Sequence, residues 1–80
     1  MTKKAELLLL AFRKRLARNV RRLRKSLGLS HAELGRRTGI YPRYLQKIEA
    51  EEANVSLKVL TRLANGLEVD PAELFKKHQR

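Results

Sequence analysis

SHAELGRRTGIYPRYLQKIE, residues 30–49, is the stretch that decides how this chain folds. Ser30 and Glu33 have the spacing in which a hydroxyl and a carboxylate each take an amide left unbonded at a helix start. Leu34 is the apolar anchor of that helix, which ends near Thr38, with Gly39 positioned for a left-handed turn. Pro42 announces a second helix, because the first helical amide has no partner to lose. Tyr41 before it makes a poor N-cap, Leu45 and Ile48 face inward, and the helix fades near Ala50. Two helices crossing at roughly 90–120° through a short turn need a small residue at the crossing and a glycine in the turn. Gly35 and Gly39 supply these, Ile40 plugs the turn into the core, and the outer face of the second helix stays bare.

Working outward, the rest of the chain also reads as helix. A first helix runs from about Ala5 to Leu27, with Leu9, Phe12, Leu16, Val20, Leu23 and Leu27 stepping by three or four as one apolar stripe. Gly28 suits its C-terminal cap. A fourth helix starts at Ser56 as N-cap, buries Leu57, Leu60, Leu63 and Ala64, and is stopped by Gly66. A fifth opens with Asp70, Pro71 and Glu73 and carries Leu74 and Phe75. No stretch alternates apolar and polar residues between hairpin turns, so no strand is expected. The expected fold is all-α: a compact five-helix bundle forming a single domain over 1–80, with 1–11 an N-terminal extension of the first helix.

Charge is lopsided. Residues 1–40 carry a net +10 and residues 41–80 a net +1, and Arg13 to Lys25 holds eight Lys or Arg with no acid. Such a run points to a polyanionic partner: nucleic acid, anionic membrane or an acidic protein. With no cysteine, a disulfide framework, a thiolate zinc site and a cysteine nucleophile are all excluded. His31 and His78 are the only imidazoles, and no motif joins them into a metal site. No nucleophile–base pair and no phosphate-binding glycine loop is present, so neither an enzyme nor a cofactor is expected. Leu7 to Phe12 is far short of the ~20 apolar residues a spanning helix needs, and no cleavage site follows it. The chain is expected to stay in the cytoplasm, with no membrane partner.

Leu34, Gly35, Gly39, Ile40, Leu45 and Ile48 fall at the key positions of a helix-turn-helix. Together with Arg24, Leu27-Gly28-Leu29-Ser30, Glu33, Glu49, Ser56-Leu57, Leu63-Ala64, Leu67-Glu68-Val69 and Leu74-Phe75, they make the chain resemble the phage repressor and Cro-type (XRE-type) helix-turn-helix domains, lambda-repressor-like in fold, over about Leu16 to Phe75. The span from Tyr44 through Asn54, Ser56 and Leu57 to Phe75 also looks like the controller proteins of restriction-modification systems. The resemblance implies a dimeric transcription regulator, a repressor or a relative of one, that places its third helix, about 42–50, in the major groove of double-stranded DNA.

It further implies that Arg43, Tyr44 and Lys47 face the bases, with Tyr41 and Gln46 at the margins, and that Ser30, His31, Asn54 and Lys58 occupy positions touching phosphates. Arg43 leads, since an arginine can fork onto the O6 and N7 of guanine. Tyr44 could instead pack its ring on the second helix, and His31 could be inert. Arg24 and Glu49 lie at the core edges of their helices and should meet as a structural ion pair, which the family also has. The arginines of the first helix, Arg18, Arg21 and Arg22, are expected to turn outward, away from the groove. Candidate homodimer surfaces are Leu67, Val69 and Phe75, or the Leu7–Leu10 run, which has more leucines than one stripe can bury. The competing reading is an antitoxin or bridging module of the same fold, gripping an acidic protein through its basic first helix.

Overall fold

The computed structural model describes residues 1–77, so His78 lies outside the described residues. Four α-helices, α1 (Lys3–Ser26), α2 (His31–Thr38), α3 (Pro42–Glu49) and α4 (Leu57–Leu67), are followed by a 3₁₀ helix at Pro71–Phe75. No strand occurs among the described residues. None of the described helices is long and apolar enough to cross a membrane.

Each element gives its apolar face to one core. Leu16 and Val20 come from α1, Leu34 from α2, Leu45 and Ile48 from α3, Leu63, Ala64 and Leu67 from α4, and Leu74 from the 3₁₀ helix. Ile40 in the turn and Ala53 in the α3–α4 connection complete it. Val20, Leu34, Leu45, Leu63 and Leu74 are wholly buried, so truncating any one to alanine leaves a cavity costing about 2–5 kcal/mol.

Several boundaries and faces differ from the expectations above, each for a local reason. α1 starts two residues earlier, because Thr2 is its N-cap, the hydroxyl accepting from the amide of Ala5 at 3.1 Å. Its first two turns overhang the bundle, with Leu7 and Leu8 more than half exposed, whereas Phe12, 48% exposed, already meets Phe75 edge to face at 5.8 Å; Leu27, at the other end, is 38% exposed. α4 runs through Gly66 to Leu67. Gly66 is no stop; it lets α2 and α4 touch, since a Cβ there would sit 2.5 Å from the Thr38 methyl. Leu57, expected inside, is 82% exposed.

The fifth element is a single 3₁₀ segment rather than an α-helix. The Glu73 amide closes onto the Asp70 carbonyl three residues back, and Asp70 caps Ala72 through its side chain. Buried Asn19 of α1 then donates to the carbonyls of both Leu74 (3.0 Å) and Lys76 (2.9 Å), taking up groups a longer helix would have used. Leu67 is 2% exposed, which removes it as a dimer surface.

Candidate nucleic-acid interface

α2 and α3 are set against one another by four adjacent features. Ser30 caps α2 reciprocally with Glu33: its hydroxyl accepts from the Glu33 amide (3.1 Å) and its own amide donates to Glu33 Oε1 (2.8 Å). Gly39 ends α2 at φ 74°, in the left-handed region, and donates to the Gly35 carbonyl at 2.8 Å. Thr38 accepts the Ile40 amide at its hydroxyl while donating to the Leu34 carbonyl, so the turn's polar groups are met internally. At the crossing, a Cβ on Gly35 would lie 2.8 Å from the Ile40 carbonyl oxygen. The chain can pass this close only over glycine.

That geometry fixes which face of α3 is available. Leu45, Ile48 and Glu49 are buried, while Arg43, Gln46 and Lys47 are exposed. Tyr41, just before the helix, is 83% exposed. Tyr41, Pro42, Arg43, Tyr44 and Lys47 line one shallow groove along the outer surface. Tyr44 packs partly against the core and donates its hydroxyl to the Asn54 carbonyl at 2.8 Å, tying α3 to the α3–α4 connection. Asn54 is exposed, and its Oδ1 accepts from Arg13 of α1. Lys58 stands exposed in the first turn of α4, behind the Ser56 cap. Ser30 and Lys58 make no side-chain bond to α3 among the described residues.

Behind α3, Arg24 donates from Nε to Glu49 Oε2 (2.7 Å) and from Nη2 to Oε1 (3.0 Å), a two-point bridge. Its Nη1 also holds the Leu29 carbonyl at 2.8 Å, just before α2. His31 Nε2 lies 3.1 Å from Glu49 Oε1, and Arg21 Nε lies 3.4 Å from it. Burial pushes the Glu49 carboxyl up, but the Arg24 hydrogen bonds and the nearby His31 outweigh that and hold it below its ordinary value. Hydrogen bonding to Glu49 raises Arg24 in turn.

The expectation that the α1 arginines turn away from the reading unit is therefore corrected for Arg21, which reaches the end of α3. Arg18 is exposed, and Arg22, though exposed, donates to Asn19 Oδ1 (3.1 Å). Arg13 and Asn19 were missed as site residues by reading outward from the two-helix unit, and Arg21 was given the wrong direction. Helical spacing holds the signal for Arg13: it precedes Arg24 by eleven residues, about three turns, and so shares its flank.

The chain matches the HTH_3 helix-turn-helix family over residues 20–74. No curated protein matches it. Among solved structures it is similar to an HTH_3 family transcriptional regulator from Vibrio cholerae, at 31% identity and TM-score 0.79 over 84% of this chain, yet it spans only 38% of that one. It is also similar to the restriction-modification controller protein C.AhdI from Aeromonas hydrophila, at 33% identity and TM-score 0.76, over 79% of this chain and 96% of that one. A hypothetical transcription factor, NHTF, from Neisseria shares 31% identity at TM-score 0.78, over 81% of this chain and 75% of that one. A reciprocal cap, a glycine crossing and a left-handed turn thus occur within a segment that the family pattern covers from end to end, and the chain belongs to the HTH_3, XRE-type, helix-turn-helix family.

Proposed function

We propose that this chain is a sequence-specific, double-stranded DNA-binding regulator of transcription, acting in the cytoplasm as a homodimer with α3 in the major groove. The proposal rests chiefly on α3 itself. Its inward residues are closed into the core, while Arg43, Gln46 and Lys47 are exposed and make no side-chain hydrogen bond or ion pair among the described residues. Arg43 forks onto a guanine edge, and Lys47 and Gln46 read or flank neighbouring positions. Tyr44 offers its ring, its hydroxyl being held by Asn54, and Tyr41 lies at the margin. Ser30, His31, Asn54 and Lys58 meet phosphates on either side. The Arg24–Glu49 bridge fixes the angle of α3 against α1 and has no role in contacting bases.

The test is affinity selection from random duplexes at two salt concentrations. An enriched palindrome, with half-sites about one helical turn apart, is expected. Binding with no preferred sequence would sink the reading. A second reading, a protein-interaction module of the antitoxin or bridging kind, is favoured by one observation. α1 exposes Leu7, Leu8, Leu10 and Phe12 beside the cations Lys14, Arg15 and Arg18, a surface suited to an acidic, partly apolar protein. It predicts that the same selection retains no duplex.

A further inference from the structure

Arg13 is placed unusually for a cation. Its Nε is shut off from solvent and has no hydrogen-bond partner, and no carboxylate pairs with it among the described residues. Arg24, three turns along the same helix, shows the contrast, with both carboxylate oxygens of Glu49 and a backbone carbonyl around its guanidinium. A partly buried charge is costly when nothing opposite faces it. The one side-chain partner of Arg13 is neutral: Nη2 donates to Asn54 Oδ1.

That bond fixes the Asn54 carboxamide. A guanidinium has only donors, so the oxygen must point toward Arg13 and the NH₂ group away from it. The Asn54 carbonyl is meanwhile held by Tyr44 of α3 at 2.8 Å. One exposed residue of the α3–α4 connection is thus clamped from two helices, with an amide donor and an unopposed positive charge side by side.

We infer that Arg13 and Asn54 together hold one phosphate of the DNA backbone. The interface then extends from the two-helix unit onto α1, to a residue outside the family-matched segment. This inference rests on the DNA-binding reading above. Arg13 supplies the charge and orients the amide, and Asn54 supplies the second donor.

The experiment measures affinity against salt for the duplex selected by the wild-type chain, using Arg13→Ala, Arg13→Gln, Asn54→Ala and the Arg13→Ala/Asn54→Ala double variant. Each alanine variant should bind roughly ten-fold more weakly, the scale of one charged hydrogen bond. The double variant should be little weaker than either. Arg13→Gln, which keeps a donor for Asn54 and so guards against loss of fold, should flatten the salt slope by about 0.9 with unchanged sequence preference. Additive losses in the double variant, or an unchanged slope in both Arg13 variants, would overturn the inference while leaving the DNA reading intact. A wild-type chain that selects no duplex overturns both.

Discussion

Glu49 is where α1, α2 and α3 converge through side chains. Its carboxylate is almost wholly buried and faces Arg24, Arg21 and His31. Replacing it with alanine strands the Arg24 guanidinium, and the expected loss is about 3–5 kcal/mol of unfolding free energy in urea denaturation. Arg24→Ala should couple strongly to it in a double-mutant cycle; simple additivity would contradict the pairing. The carboxyl is held below its unfolded value, so its contribution is complete above the ordinary carboxylate range and is lost as pH falls through the folded value. Glu33, lowered by its hydrogen bonds with Ser30, acts in the same direction. Glu49→Gln should therefore flatten the acid limb of the stability curve and leave the neutral-to-basic limb level. Glu51 carries a different strain. It sits at φ 65°, with its amide on the Ile48 carbonyl and the next amide on Lys47, the closing turn in which glycine is at ease. Glu51→Gly should raise stability by about 1 kcal/mol, read in the same denaturation experiment. At the outer face, Arg43→Ala should cost about 1–3 kcal/mol on the selected duplex and relax preference at one base pair.

Among the elements, α2 against α4 is the contact most sensitive to a single carbon. Gly66 is buried in the last turn of α4, where alanine would ordinarily be favoured over glycine by up to about 1 kcal/mol of helix propensity. Here the added Cβ meets the methyl of Thr38, whose hydroxyl is bonded on both sides and cannot turn aside. Gly66→Ala should instead destabilise by about 1–3 kcal/mol, visible as a lowered urea midpoint. The same residue shows where sequence stops being legible. Caps are local chemistry, so Ser30, Ser56, Gly39 and Pro42 marked helix starts and the turn correctly. Gly66 looks like a cap in one dimension and acts as a spacer in three, and the left-handed residue that closes α4 is Glu68, two positions on. The 3₁₀ form of the last element depends on Asn19, fifty-five residues away, which no local pattern reveals. At the candidate site, the bare face of α3 follows from the spacing of Leu45 and Ile48. The links from Arg13 and Arg21 required knowing which flank of α1 lies against α3.

For the molecule as a whole, charge and apolar surface are both concentrated on α1. At about 36 Å, this helix is long enough to serve the core with one end and project the other. Leu7, Leu8 and Leu10 are each more than half exposed on the projecting end. If this end pairs two copies, replacing all three with glutamine should shift sedimentation from dimer to monomer and abolish the concentration dependence of the unfolding midpoint, leaving the midpoint of the dilute monomer unchanged, since none belongs to the core. Persistence of the dimer would instead direct attention to Val69 and Phe75, both only partly buried. The overhang also means that one continuous helix is two regimes of amide protection. From Leu16 onward, opening a backbone hydrogen bond requires breaking the core, so hydrogen exchange there should approach the rate set by global unfolding. From Lys3 to Leu8, the turns have little beneath them and should exchange by local fraying, orders of magnitude faster. Any mate that settles on those leucines should slow exchange in the first three turns alone, and a protection map taken across protein concentrations would locate it residue by residue.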